Sequence, residues 1–349
     1  MTRIDKFELI VSRENGAYFA GEQIAGNLLL NASDEIDLEQ LYVHIKGEGS
    51  TSWLNKTSEQ AFTFNQTYID RVLDIPIGHL ISQSSEPDTG GAKIPPGSHV
   101  LPFGIQLPFE LPSSVEGEWG YIRYKLRAVL IVSGQRNLVC AVLGINPHSN
   151  TIDACIDLNI TTVLDLRLNP LNSRPVETED MLYFYSCCCI RTGHIRASLR
   201  LHQLGTGIGD PVLISAEVAN RSRRSITSVN AKIIQHIRFY GQSEFLQTDE
   251  MKESNILVGS KDWGAIPART RQIFEYEMVP LYATGVGGAE IRIFPTQINC
   301  AVNIEYSLIF EIEPTGLQLE VPLIFGSNPA GVYANELQTG YLPTHRLSI

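Results

Sequence analysis

The chain has 349 residues, 43% hydrophobic and 19% charged, with a formal net charge of −11. That length suits two domains of the usual ~100–200 residues, and the apolar fraction rules out a largely disordered chain. Residues 1–175 hold 13 Lys+Arg against 20 Asp+Glu and the rest 14 against 18, so neither half has the basic footprint that nucleic acid or an anionic membrane surface demands.

From the start, Met1 to Lys6 lacks the apolar core of a signal peptide, and no later stretch approaches the ~20 apolar residues of a membrane span. The Asn-X-Ser/Thr triplets at Asn55, Asn65 and Asn159 then read as chance matches, and the six Cys as reduced thiols. The expectation is a soluble cytoplasmic chain. Along it, Leu41, Val43 and Ile45 alternate with Tyr42, His44 and Lys46; Ile195, Ala197, Leu199 and Leu201 alternate with polar residues; so do Ile304, Tyr306, Leu308, Phe310 and Ile312. A period of two puts one face of a strand on a core and the other in water. Turn clusters are read at Asn15-Gly16, Gly47-Glu48-Gly49, Asn146-Pro147, Gly205 to Pro211 and Gly285 to Gly288. No amphipathic helix of ten or more residues stands out. The predicted fold class is all-β: tandem antiparallel β-sandwich domains of immunoglobulin-like type.

The sequence also repeats. Tyr18-x-x-Gly21-Glu22-x-Ile24 is matched by Gly207-x-Gly209-Asp210-x-Val212, with Gly21 and Gly209 offset by 188. Ile94-Pro95 and Leu107-Pro108 are matched by Ile266-Pro267 and Val279-Pro280, and Ile122 to Leu126 by Ile304 to Leu308, at offsets of 172 and 182. Loop-length changes explain the drift. The junction is expected in the Pro- and Asn-rich stretch from Asn169 to Asp180.

Candidate chemistry is sparse. Gly205-x-Gly207-x-Gly209 lacks the following helix that a phosphate loop needs, because Val212 to Val218 alternate like a strand. Cys187-Cys188-Cys189 with His194 cannot converge tetrahedrally from one strand, so packing outweighs zinc or acylation as a reading. No nucleophile elbow, zinc-protease motif or P-loop is present. No catalytic residue, cofactor or metal is expected. Two basic groups remain: Arg221-Ser222-Arg223-Arg224, and Arg123, Lys125 and Arg127, which are predicted to share one strand face and form a candidate patch for an anionic partner, against the plainer reading of a solvated face.

Several blocks resemble the arrestin domain-containing proteins, the α-arrestins: Phe7 to Val11, Tyr18 to Glu22, Gly47 to Trp53, Pro95-Pro96-Gly97, Pro102-Phe103, Leu107-Pro108, Leu111 to Ser114, Gly120 to Tyr124, Cys187 to Cys189, Gly193, Gly209-Asp210, Ala219 to Ser222 and Val321 to Gly326. The resemblance spans roughly residues 7–330. It implies an arrestin-like sandwich at residues 1–170, a hinge at 171–180, a second arrestin-like sandwich at 181–326 and a tail at 327–349. It also implies a non-catalytic adaptor that links membrane-protein cargo to endocytic, ubiquitin-dependent sorting machinery, with recruitment to endosomes or the plasma membrane and no nucleic acid. The motif residues Gly21, Gly97, Pro108, Pro112, Gly120, Tyr124, Gly209, Asn220, Pro322 and Gly326 read as scaffold, with Tyr124 and Tyr306 at equivalent core positions and prolines at strand starts and edges. Many members carry Pro-Pro-x-Tyr, which WW domains of ubiquitin ligases grip. These 349 residues contain none, so any ligase is expected to be engaged only indirectly. The first strand, Leu9 to Arg13, also lacks the Lys pair with which visual and β-arrestins sense phosphate. A tail docked weakly on the first domain is expected. Rival readings are a coat-type endosomal sorting subunit resembling retromer's arrestin-like component, marked by a large exposed apolar patch, and a small-molecule-binding or enzymatic β-sandwich, marked by a deep polar pocket.

Overall fold

The computed structural model describes residues 4–57, 59–77, 92–132, 150–186, 190–243, 248–280 and 293–327. Its chain falls into two compact units, Met1–Ser50 with Phe64–Thr161, and Thr51–Thr63 with Thr162–Ile349. Among the described residues the only helical pieces are two 3-10 turns, Leu166–Leu168 and Pro170–Ser173. Among these residues no helix is long and apolar enough to cross a membrane.

The first unit has a three-stranded antiparallel sheet of β1 (Ile4–Val11), β3 (Gln23–Ala32) and β7 (Gly97–Gln106), in the order β1-β3-β7. Its other sheet follows the order β5-β4-β9-β10-β2. The strands are β5 (Gln60–Asp74), β4 (Ile36–Asn55), β9 (Gly120–Val132), β10 (Asn150–Thr161) and β2 (Ala17–Phe19). Two short strands flank it, β6 (Ala92–Ile94) on β4 and β8 (Val115–Gly117) on β9. Inward positions of both sheets are closed to solvent: Ile24, Leu28, Leu30 and Leu101 from one, Val43, Ile45, Ile122, Tyr124 and Leu126 from the other. Each such aliphatic side chain contributes about 1.5–3 kcal/mol. Pro102 sits in β7, a terminal strand of its sheet among the described residues, where proline is tolerated.

In the second unit β11 (Val176–Tyr185), β12 (Arg191–Leu201), β14 (Val212–Asn220) and β17 (Arg271–Met278) form one antiparallel sheet in that order. The other runs β13 (Gly205–Gly207), β19 (Leu317–Gly326), β18 (Val302–Glu313) and β15 (Ser228–Gln242), with β16 (Asp249–Asp262) also paired to β15. The end of the β4–β5 hairpin belongs here. Thr63 pairs with Gln242, Thr51 Oγ1 donates to the Tyr240 carbonyl, and Trp53 stacks on Phe62 at 5.9 Å with its ring against Gly241, where a Cβ would overlap it. The stretch 171–180 holds most of the second 3-10 turn, capped by Asn169 and opened by Pro170, and then the start of β11 at Val176.

The repeat extends to individual hydrogen bonds. β2 pairs in parallel with β10 at Tyr18↔Ile160, and β13 in parallel with β19 at Thr206↔Phe325. Ala20 N donates to the Thr161 carbonyl as Ile208 N does to Gly326. Ser114 N donates to Ile160 O (2.8 Å) while its hydroxyl accepts from Ile160 N (2.9 Å); Thr296 does the same with Phe325 (2.8 and 3.0 Å). Buried Tyr124 donates to the Pro112 carbonyl at 2.7 Å, and buried Tyr306 to the Phe294 carbonyl at 2.8 Å, each bridging 12 residues back along the chain. Gly21 and Gly209 have φ of +83° and +94°, a backbone region that side chains disfavour.

Two turn assignments are corrected. Gly205–Gly207, the start of the Gly205 to Pro211 cluster, is strand β13. Gly47-Glu48-Gly49 lies inside β4, not in a turn. Gly47 is needed there because a Cβ would overlap the Tyr124 ring and come within 2.8 Å of Ile69 Cγ2. Asn146-Pro147 and Gly285 to Gly288 lie outside the described residues.

Gly47→Ala is therefore expected to destabilise the protein by about 1–3 kcal/mol, since the overlapped ring is buried and tethered at its hydroxyl. Tyr124→Phe and Tyr306→Phe should each cost about 1–3 kcal/mol. Tyr306→Phe should cost more, because its hydroxyl also accepts from Phe294 N and Gln235 Nε2. Chemical denaturation monitored by tryptophan fluorescence reads all three.

Candidate functional site

The β8–β9 hairpin closes at Gly117↔Gly120 and sets the phase of β9. Ile122, Tyr124, Leu126 and Ala128 are buried, which leaves Arg123, Lys125 and Arg127 exposed together on the other face. Each cation meets a carboxylate. Arg123 makes a fork to Glu116 (Nε–Oε1 2.6 Å, Nη2–Oε2 2.8 Å) and lies over the Tyr121 ring at 3.8 Å. Lys125 stands 3.7 Å from Asp157, and Arg127 Nε 3.0 Å from Asp153. Farther across the sheet Lys46 pairs with Glu48 at 2.6 Å and His44 with Asp70 at 2.7 Å. Arg127, with a smaller contribution from the Cys155 thiol, holds the Asp153 carboxyl below its usual range, and Glu116 raises the Arg123 guanidinium. Pairs as exposed to solvent as these add little to stability. They give the face a mixed-charge character, and an incoming anion has to displace a resident carboxylate from each cation.

The other singled-out residues sit in the framework. Pro108 O accepts from Gly21 N (2.9 Å), and Pro112 O holds Tyr124. Gly97 opens β7 and Gly120 opens β9. Pro322 lies in β19 opposite Ser307, and Gly326 ends that strand against Leu166. Gly205-x-Gly207-x-Gly209 leads into strand β14, so no helix N-terminus follows it. Among the described residues no three His, Cys, Asp or Glu converge as a metal ion would need. Cys187, Cys188 and Cys189 lie outside them. The thiol of Cys300 is buried, which pushes its pKa up to about 12 and keeps it protonated.

Asn220 builds the turn that carries the second basic group. Its Nδ2 donates to the carbonyls of Arg224 (2.8 Å) and Pro267 (3.1 Å), while Oδ1 accepts from Ser222 N (3.1 Å) and Ser222 Oγ (2.7 Å). All four bonds of a buried amide are thus made, and Arg221, Arg223 and Arg224 are left exposed. Sequence reasoning did not join Arg191, Tyr183 and His194 to this group. They come from β11 and the start of β12, and only the pairings Tyr183↔His194 and Ile195↔Asn220 bring them together. Asn220→Asp keeps the acceptor but loses both donors and buries a charge. It should destabilise the protein by about 1–3 kcal/mol or more, and Ser222→Ala by less, on thermal or denaturant unfolding.

Comparison with known proteins agrees with this architecture. The family described as "Arrestin (or S-antigen), N-terminal domain" matches residues 7–141, and "Arrestin (or S-antigen), C-terminal domain" matches residues 191–330. Arrestin domain-containing protein 17 of Caenorhabditis elegans is 22% identical over 332 residues, covering 94% of this chain and 72% of the relative. Arrestin domain-containing protein 15 of the same organism is 25% identical over 318 residues, covering 88% and 75%. Arrestin domain-containing protein 4 of Homo sapiens is 25% identical over 338 residues, covering 94% and 72%. With two sandwiches that share hydrogen bonds at equivalent positions and a match to both arrestin domains in order, the chain belongs to the arrestin domain-containing protein family.

Proposed function

We propose that this arrestin-type protein is a non-catalytic adaptor that links membrane-protein cargo to endocytic and ubiquitin-dependent sorting machinery, working in the cytoplasm with recruitment to endosomes or the plasma membrane. The observation that carries the reading is the division of labour within the motif residues. Gly21, Pro108, Pro112, Tyr124, Asn220 and Gly326 are spent on turns, close approaches and buried hydrogen bonds. Contact with other proteins is then left to exposed strand faces and loops. The β9 face of Arg123, Lys125 and Arg127 is a proposed contact for an anionic partner that exchanges with Glu116, Asp153 and Asp157. A ubiquitin ligase recruited through these 349 residues joins by an intermediary, because a WW groove needs a proline-rich extended ligand and Pro-Pro-x-Tyr does not occur in them.

Source cells lacking the protein, compared by surface-labelling proteomics, should keep a defined subset of membrane proteins at the surface longer, and re-expression should reverse the change. Unaltered surface lifetimes across all membrane proteins would overturn the adaptor reading. Isolated WW domains should fail to retain the purified chain, and micromolar binding would contradict the indirect route to a ligase.

A further inference from the structure

The cations of β9 are neutralised by their neighbours, but those at one end of the β11-β12-β14-β17 sheet are not. Arg191, Arg221, Arg223 and Arg224 are exposed there, and among the described residues none of the four forms an ion pair. Two lie over aromatic rings. The Arg191 guanidinium lies 3.7 Å from the centroid of Tyr183, and that of Arg224 lies 5.1 Å from the centroid of Phe184. Stacking occupies the face of the planar group and leaves its N–H edge for a bidentate acceptor.

Tyr183 and Phe184 are neighbours in β11 and so point to opposite faces of the sheet. Leu182 pairs with fully buried Ile195 and marks the inner face, which Phe184 shares; Tyr183 pairs with His194 on the outer face. The two stacked cations therefore flank the end of β11 from both sides. β11 is also the terminal strand of its sheet, so its outer backbone edge has no strand partner among the described residues. Tyr185 (61% exposed) and Ile190 (65%) stand beside it. His194 faces Tyr183 at 5.9 Å, and its pKa is held below the ordinary value by burial first and then by Arg191 and Arg221.

We propose that this end of β11 is the docking edge for an extended, carboxylate-rich segment of a partner protein, added as a strand beside β11 so that neighbouring acidic side chains reach Arg191 on the outer face and Arg224 on the inner face. Strand addition supplies main-chain hydrogen bonds, and its alternation of side chains matches cations split between two faces. Single guanidiniums, each on its own ring, suit monoanionic carboxylates better than a phosphate dianion, which calls for several cations around one point. A flat anionic bilayer is disfavoured because it would also meet the net charge of −11 and Glu177, Glu179 and Asp180 farther along β11. Those same carboxylates confine the acidic part of the ligand to the end of β11 near Tyr185. The proposal goes beyond the adaptor reading and stands apart from it, since it is tested with purified components.

The probe is a fluorescent synthetic peptide of β-forming residues interrupted by Asp-Glu pairs, titrated into the full-length protein. Controls are the Asn-Gln peptide, a phosphoserine peptide and phosphatidylserine vesicles. The acidic peptide should bind, the amide peptide should not, and Arg191→Gln with Arg224→Gln should weaken binding about tenfold or more. Arg123→Gln with Arg127→Gln should leave it unchanged. In the unaltered protein, peptide binding should slow hydrogen exchange along β11 and raise the His194 pKa measured by NMR, so a poorly folding variant does not decide the matter. The proposal is overturned by failure of the acidic peptide to bind, by binding that ignores Arg191 and Arg224 or leaves β11 unprotected, by binding of the phosphoserine peptide alone, or by capture of vesicles through these arginines without peptide binding.

Discussion

A phenol hydroxyl carried into an apolar core must find an acceptor there, or the burial of its ring is offset by a desolvated donor. In each half of this chain the acceptor is a carbonyl 12 residues upstream, that of Pro112 for Tyr124 and of Phe294 for Tyr306. The bond pins the segment before the strand against the strand itself. Within that segment the hydroxyl of Ser114 or Thr296 accepts from the amide of Ile160 or Phe325, on the strand that also pairs in parallel with β2 or β13. Gly47 makes room for the first ring, and Phe325 packs edge-on to the second at 4.6 Å. Of the motif residues, Tyr124 and Pro112 make the bond itself.

Much of this was legible because both governing patterns are local in sequence. Period-two alternation identified β4, β12 and β18, and the drifting offset between halves reflected loop lengths without disturbing the equivalence of Tyr124 with Tyr306. Gly47 was misread as part of a turn because a glycine required by a ring from another strand looks the same in sequence as one required by its own φ. That Thr51–Thr63 belongs to the second unit was hidden for a related reason: β4 alternates without a break from Ile36 to Asn55, and nothing local marks where its surroundings change.

Electrostatic context was the least legible feature. Arg123, Lys125 and Arg127 and the turn Arg221 to Arg224 look alike as sequence, yet carboxylates from β8 and β10 neutralise the first group while none does so for the second among the described residues. Pairing across strands decides this, and Asp153 and Asp157 reach Arg127 and Lys125 only through the β9–β10 register. Identical charges thus have different availability: one set must exchange partners to bind an anion, and the other is exposed with no carboxylate to displace among the described residues.

The central claim is that the two sandwiches are locked by the same bond pattern, with the amides of Ile160 and Phe325 at its heart. Residue-resolved native-state hydrogen exchange tests it most directly. The account predicts that these two amides rank among the slowest in their respective units, exchanging only through global opening of each. Exchange of either at the rate of terminal strands such as β7 or β17 would contradict it.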